Sequence, residues 1–408
     1  MQTEVTGHPE LLELATEPWK ERITGEILTR VQENVLRYYP ELAREKSARV
    51  VLSKPPQRRR FTFIFWLTIE SPEGRPLKSL IAKAYRITPK KDARDQDIRY
   101  KSQREFLFHR EVYDYFSAQA EVYSVVRPLD YFPDLLTLIV EKAEGKDLGV
   151  LIKETRYALS GYQTRKTRLG AYVQRCGKWL ALMHRGFPAG AALTLEPDHF
   201  ERQVNHYYKR FCKAGGEVEL ADPLRQRILA VSRKFAGAEV AQAHLHGDFK
   251  LRHLFFTPER IIPIDFGNEL SGAAFDDVAR FLVELKLMEY GARLPLHSDL
   301  MPYLQEQFLL GYLGSSSWPP LLRLYYVVWL WAKWDRRLKK LTTNKRVRKA
   351  LDWMHAGGVQ RLLNHTYVNS WFKRELTSEL TILEKEVDGD NHDGHHPPPS
   401  PAFRSLKA

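Results

Sequence analysis

His244-Leu245-His246-Gly247-Asp248-Phe249-Lys250-Leu251-Arg252-His253-Leu254-Phe255-Phe256 is followed, after a short polar turn, by Ile264-Asp265-Phe266-Gly267. Two aspartates therefore stand in apolar frames 17 positions apart. The apolar, β-prone runs on either side of the turn predict a hairpin, with Asp248 at one end and Asp265 after the return strand. A hydroxyl that attacks a phosphate needs one carboxylate beside it and another on the metal that bridges the phosphates. Such a hairpin would supply both.

Upstream, residues 11–45 read as helix, with Trp19, Ile23, Ile27 and Val31 at near-helical spacing. The pattern then turns to strands at 49–53, 61–70 and 77–85, with turns expected at 55–60 and 71–74. A helix is expected over about 98–117 and a further strand over 135–141. Beyond Gly145 the chain reads as helical, apart from the β-like island around the two aspartates. On one of its helices Leu169, Val173, Cys176, Leu180 and Met183 form an apolar stripe. From Glu386 onward the sequence is polar and Pro-rich, and disorder is the expectation. The order describes an α+β protein with a small antiparallel-sheet N-lobe and a larger helical C-lobe. Residues 1–47 would be a helical extension, 48–141 the N-lobe, 142–385 the C-lobe with the catalytic loop, and 386–408 the tail.

Bulk properties bound the function without choosing it. At 408 residues the chain is long enough for two lobes. Two cysteines, Cys176 and Cys212, in helix-like surroundings fit a reducing cytoplasm better than a disulfide framework. No stretch is long and apolar enough to span a bilayer, and the first apolar cluster does not resemble a signal peptide. The formal net charge of +13 is compatible with nucleic acid, anionic lipid or an anionic substrate. Nothing beyond charge points to nucleic acid, so none is expected as a partner.

The motifs resemble those of the aminoglycoside phosphotransferase and choline kinase family and, more distantly, of protein kinases. The resemblance covers roughly residues 48–290. His246-Gly247-Asp248 is similar to the family's catalytic loop, and Ile264-Asp265-Phe266-Gly267 to its metal-binding segment. Phe275-Asp276-Asp277-Val278-Ala279-Arg280-Phe281-Leu282 is similar to the next element, where an aspartate opens a helix and braces the loop. The resemblance implies a two-lobed protein-kinase-like fold, ATP as donor, and Mg²⁺ or Mn²⁺ as cofactor. It implies Asp248 as base and Asp265 as metal ligand, and gives the bracing role to Asp277. Lys250 takes the place where protein kinases keep a lysine that neutralises the transferred phosphate. Val140-Glu141-Lys142-Ala143 looks like the hinge, whose backbone near Glu141 and Ala143 would meet the adenine edge.

Lys83, a cation on an otherwise apolar strand, fits a phosphate contact whose partner is a glutamate on the following helix. Glu105 and Glu111 both qualify by type. Glu105 shares a helical face with Phe108, Val112 and Phe116, which favours it over Glu111. Taken singly, Lys83 also fits a snorkelling strand-edge lysine and Glu105 a helix-face ion pair.

The chain departs from the family in two places. Where the family usually has a metal-binding asparagine, five positions after the base, it has His253. Imidazole suits softer cations than Mg²⁺. Weaker metal binding, a preference for Mn²⁺ and a single-metal site are all compatible with it, as is a hydrogen-bonded interior histidine. The glycine-rich loop is also absent. Arg58, Arg59 and Arg60 would either cover phosphates or form a solvated turn.

An ATP-dependent phosphotransferase acting on a hydroxyl of a small molecule or glycan is the resulting expectation. Sugars, amino-alcohols and lipid-linked or lipopolysaccharide-type glycans are all compatible acceptors, the last with contact at a membrane surface. The acceptor is expected near 198–208 and 318–334, where Tyr207, Tyr208, Trp329 and Trp331 offer aromatic surface. The basic run from Lys333 through Arg336, Arg337, Lys339, Lys340, Lys345, Arg346, Arg348 and Lys349 reads first as a solvated helix connection, and second as a surface for an anionic acceptor. The alternative function is a catalytically weak pseudokinase serving as a nucleotide-binding or scaffolding module. A scaffold, however, needs none of Asp248, Asp265, Lys83 and Lys250.

Overall fold

The computed structural model describes residues 17–45, 47–59, 61–85, 95–119, 122–266, 270–290, 297–343 and 357–390. In chain order the elements begin with α1 (Glu17–Tyr38), β1 (Arg49–Arg58), β2 (Thr62–Glu70), β3 (Pro76–Tyr85) and α2 (Asp95–Ser117). Next come β4 (Pro128–Phe132), β5 (Thr137–Glu141), β6 (Lys146–Asp147), α3 (Leu148–Arg156), α4 (Tyr162–Gly186) and β7 (Leu193–Thr194). There follow α5 (His199–Lys213), α6 (Val218–Arg233), β8 (Glu239–Val240), β9 (Gln242–Leu245), β10 (Leu254–Phe256), β11 (Ile261–Pro263) and β12 (Leu270–Ala273). The last four are α7 (Phe275–Tyr290), α8 (Leu300–Leu313), α9 (Pro320–Thr343) and α10 (Gly357–Asp390). The chain forms two units, Met1–Asp147 with His253–Glu269 and Leu148–Arg252 with Leu270–Ala408. An antiparallel sheet early in the chain and helices after it are what the α+β reading requires.

In the first unit the sheet runs in the order β1-β2-β3-β5-β4, and every pairing is antiparallel. Alternation decides its faces. Leu80, Ala82 and Ala84 of β3 are fully buried in the same cluster as Ile23, Ile27, Val31 and Val35 of α1. Four residues at that spacing form one helical stripe, and each buried side chain contributes roughly 1.5–3 kcal/mol. Thus α1 covers one sheet face and leaves Lys83, at the alternate position, on the other.

Three boundaries differ from the expected ones. The turn expected at 55–60 is strand as far as Arg58, because β1 is an edge strand. There a proline's missing N–H costs no ladder bond, and the register shifts absorb Pro55 and Pro56. The expected tail starts too early, since α10 continues to Asp390. Arg323 of α9 donates to both Glu386 carboxylate oxygens, at 3.0 and 3.1 Å, and to Glu379 at 2.7 Å, which clasps this end of α10. His392, His395 and His396 lie outside the described residues. The lobe boundary expected after residue 141 falls after Asp147 instead, because β6 pairs with β10.

The second unit packs helices around the expected stripe of α4: Leu169, Val173, Cys176, Leu180 and Met183 are all buried. Two glycines set how closely α4 and α8 approach. A Cβ at Gly177 would lie 2.2 Å from the Phe308 carbonyl oxygen, and one at Gly311 would lie 2.1 Å from that of Gln174. Trp331 and Trp334 of α9 are core, packed on Phe211 of α5, and the Trp334 indole donates to Asn369 of α10 at 2.9 Å. Both cysteines are free. Among the described residues no helix is long and apolar enough to cross a membrane.

Candidate active site

Within the first unit the site begins at Lys83. Its ammonium donates to Glu105 Oε1 at 2.6 Å and to Asp265 Oδ1 at 2.8 Å. Glu105 also accepts from the Tyr85 hydroxyl, two positions along the same face of β3. Glu105 is 4% exposed, whereas Glu111 faces solvent, so the helical-face argument and the geometry agree on Lys83's partner. Burial opposes the charge on Lys83, but Glu105 and then Asp265 more than offset it and hold its pKa well above the ordinary lysine value.

Asp265 follows the β10–β11 hairpin, in which Leu254 pairs with Pro263. The Ile264 N–H donates to the His253 carbonyl at 2.9 Å, so His253 and Asp265 leave the hairpin side by side. His253 Nε2 and Asp265 Oδ2 are 3.6 Å apart. Asp265 takes a left-handed backbone, φ +72°, that a non-glycine residue adopts at a cost of about 1–3 kcal/mol. Phe266 holds it there, being 1% exposed and packed on Phe108 and His109 of α2. A carboxylate and an imidazole this close can share one divalent cation, and this donor set fits Mn²⁺ at least as well as Mg²⁺.

Within the second unit β9 and β12 pair antiparallel, Leu245 opposite Leu270, and the loop carrying Asp248 leaves β9. Asp277, 1% exposed at the start of α7, accepts the N–H of His246 at 2.7 Å and that of Gly247 at 3.0 Å. His184 Nε2 also lies 3.4 Å from it, and His184 Nδ1 is 2.8 Å from the Tyr312 hydroxyl. Burial raises the Asp277 pKa, but His184, His246 and Arg280 outweigh burial and keep it below the ordinary value. Gly247, at φ +72°, supplies a left-handed turn at little cost. Phe249 is fully buried and stacked on Trp179, which leaves Asp248 and Lys250 on the opposite side as a direct ion pair.

The segment expected to be the hinge begins in β5. The Glu141 N–H donates to the Arg127 carbonyl at 2.9 Å and is already used inside the unit. The Glu141 side chain accepts the Tyr39 hydroxyl at 2.9 Å. Arg58 and Arg59 lie exposed where β1 ends, and Arg60 and Gly267 lie outside the described residues.

Sequence reasoning missed several residues here. His184 sits beside the apolar stripe of α4 with nothing local to set it apart. Asp276 reads as a helix-start carboxylate. In the fold it accepts the Trp329 indole N–H at 3.0 Å, and burial pushes its pKa up to about 6. Trp329, expected to offer aromatic surface, is 8% exposed, and Trp331 is core.

Residues 84–284 match the model of the phosphotransferase enzyme family, as the resemblance carried by the motifs implies, which makes this part of the chain a phosphotransferase domain. No curated protein matches the sequence. Among solved structures, the chain is similar to a choline kinase from Cryptosporidium parvum Iowa II, at 12% identity and a TM-score of 0.46, over 90% of this chain and 97% of that one. A glucosamine kinase matches at 14% identity and a TM-score of 0.47, over 86% and 99%. A choline/ethanolamine kinase family protein from Mesorhizobium loti matches at 14% and 0.43, over 88% and 99%.

Proposed function

We propose, from the premise that residues 84–284 belong to the phosphotransferase enzyme family, that this protein transfers the γ-phosphate of ATP to a hydroxyl of a small molecule or glycan. The observation that carries the reading is Lys83 held between the buried Glu105 and the part-exposed Asp265, an ion-pair relay joining three separate segments. Asp248 takes the proton of the acceptor hydroxyl as its oxygen bonds to the γ-phosphorus and the bond to the β–γ bridging oxygen breaks, releasing ADP. Lys250 offsets charge on the transferred group, and Lys83 neutralises the phosphates left behind. Asp265 with His253 would hold a divalent cation, which when bound screens the phosphate oxygens. Asp277 keeps the loop backbone in place. The Glu141 carbonyl and Ala143 would meet the adenine. A reaction that consumes ATP suits the cytoplasm.

The test is turnover of ATP by purified protein with Mg²⁺ or Mn²⁺ and a pooled panel of sugars, amino-alcohols and glycans. Transfer that disappears in both Asp248→Ala and Asp265→Ala is the expected result. ATP binding with no transfer to any acceptor would move the assignment to a nucleotide-binding scaffold.

A further inference from the structure

Helices α7 and α9 gather a second set of charges in the unit that carries Lys250. Glu284 of α7 pairs with Lys333 of α9, and it is close enough to Lys250 to feel its charge. One turn earlier on α7, the Arg280 guanidinium lies over the Trp329 ring, 4.3 Å from its centroid. Arg280 also draws down the pKa of Asp277, which puts it beside the loop that Asp277 braces. Three residues beyond Lys333 comes Arg336, exposed to solvent.

Most of the carboxylates nearby are already engaged. Asp248 pairs with Lys250, Glu284 with Lys333 and Asp335 with Arg210, while Asp276 accepts the Trp329 indole N–H and feels the charge of Arg280. Among the described residues neither Arg280 nor Arg336 has an ion-pair partner. Lys333 registers the imbalance: burial first, then Arg336 and Arg280, lower its pKa below the ordinary value even with Glu284 in contact. Cations that repel one another on a shared face cost free energy, and a bound anion recovers it. Arg280 is fixed over an indole, so its planar donor fork is pre-organised for phosphate or carboxylate.

We infer that this face binds the acceptor and that the acceptor is anionic: a hydroxyl-bearing molecule of the sugar class with a phosphate or carboxylate group held by Arg280, Lys333 and Arg336. The inference rests on the phosphotransferase reading, since the same molecule would present its hydroxyl to Asp248. It names the class that reading leaves open. The basic run that begins at Lys333 is then part of a binding surface at its first two turns. Lys345, Arg346, Arg348 and Lys349 lie outside the described residues.

Binding separates the two proposals. Calorimetry on the full chain without nucleotide, using glucose 6-phosphate, glucuronic acid, glucose and glucosamine, reads charge preference with no transfer step. Glucose 6-phosphate or glucuronic acid should bind at least about tenfold more tightly than the other two, and which of them wins distinguishes phosphate from carboxylate. Arg280→Gln and Arg336→Gln should each weaken that binding about tenfold. Arg336 is exposed, so its replacement tests the idea without threatening the fold. Equal or tighter binding of glucose or glucosamine, no binding of either anion, or anion binding indifferent to both substitutions would overturn the inference. Failure of the phosphotransferase reading looks different: charge-dependent binding persists, but ATP is never consumed.

Discussion

Lys83 on β3 and Asp265, 182 positions later in the chain, are joined by a 2.8 Å hydrogen bond, and the same ammonium holds Glu105 of α2 at 2.6 Å. One cation thus fixes both the helix and the segment after the β10–β11 hairpin. Lys83→Met keeps most of the side-chain volume and removes the link. It should lower kcat/KM by about 10²–10³-fold while the protein stays folded, and Asp265→Asn should do at least as much. Steady-state kinetics beside a thermal melt reads both quantities. Near-wild-type turnover in Lys83→Met would remove the residue from the mechanism.

Asp277 holds a loop by its backbone. Its carboxylate accepts two N–H groups from inside a buried site, so Asp277→Ala leaves both donors without partners and should cost about 3 kcal/mol. Because its pKa is held below the ordinary value, this carboxylate stabilises the fold fully above the ordinary carboxylate range. That contribution fades as pH falls through the lowered folded value. Urea denaturation at pH 7 and at successively lower pH should therefore show wild type and Asp277→Asn converging in acid. A constant gap down to the lowest pH would mean that Asp277 acts through packing alone.

What the sequence disclosed depended on whether the signal was local. The strands β2 and β3, the stripe of α4 and the β10–β11 hairpin before Asp265 all announce themselves by residue type at short spacing, and the fold put them where that spacing implies. Glu105 could be separated from Glu111 because a helix turns its faces by a fixed angle. The boundaries of β1 and α10 were misjudged for tertiary reasons. Pro55 and Pro56 are tolerated because β1 is an edge, and α10 persists because Arg323, more than 50 positions earlier, clasps Glu379 and Glu386. His184 beneath Asp277, Arg280 over Trp329 and Glu284 against Lys333 are likewise meetings of distant segments, which no window of sequence contains.

Asp276, next to Asp277, behaves in the opposite way. Burial raises its pKa to about 6, against the donation of Trp329 and the charge of Arg280, which both lower it. The folded state therefore prefers the protonated form. As pH rises from the ordinary carboxylate range through about 6, Asp276 withdraws stability, and at neutral pH the penalty is complete. Asp276→Asn keeps an acceptor for the Trp329 indole and removes the charge. It should stabilise the protein by about 1 kcal/mol at pH 7.5 and by nothing near pH 4. A variant less stable than wild type at both pH values would show that the ionised carboxylate is worth more to its neighbours than it costs.

His253 stands where the family usually places an asparagine, and the structure sets its Nε2 3.6 Å from Asp265 Oδ2. An imidazole favours Mn²⁺ over Mg²⁺ more than an amide oxygen does, because Mg²⁺ is harder and holds its water and oxygen ligands more strongly. His253→Asn should therefore raise the ratio of Mg²⁺- to Mn²⁺-supported turnover by about tenfold. It should also weaken Mn²⁺ binding measured by titration in the presence of ADP, which does not depend on turnover. If both ratio and affinity are unchanged, His253 is not a ligand. Its closeness to Asp265 would then serve only to orient that carboxylate, and the cation would rest on Asp265 without it.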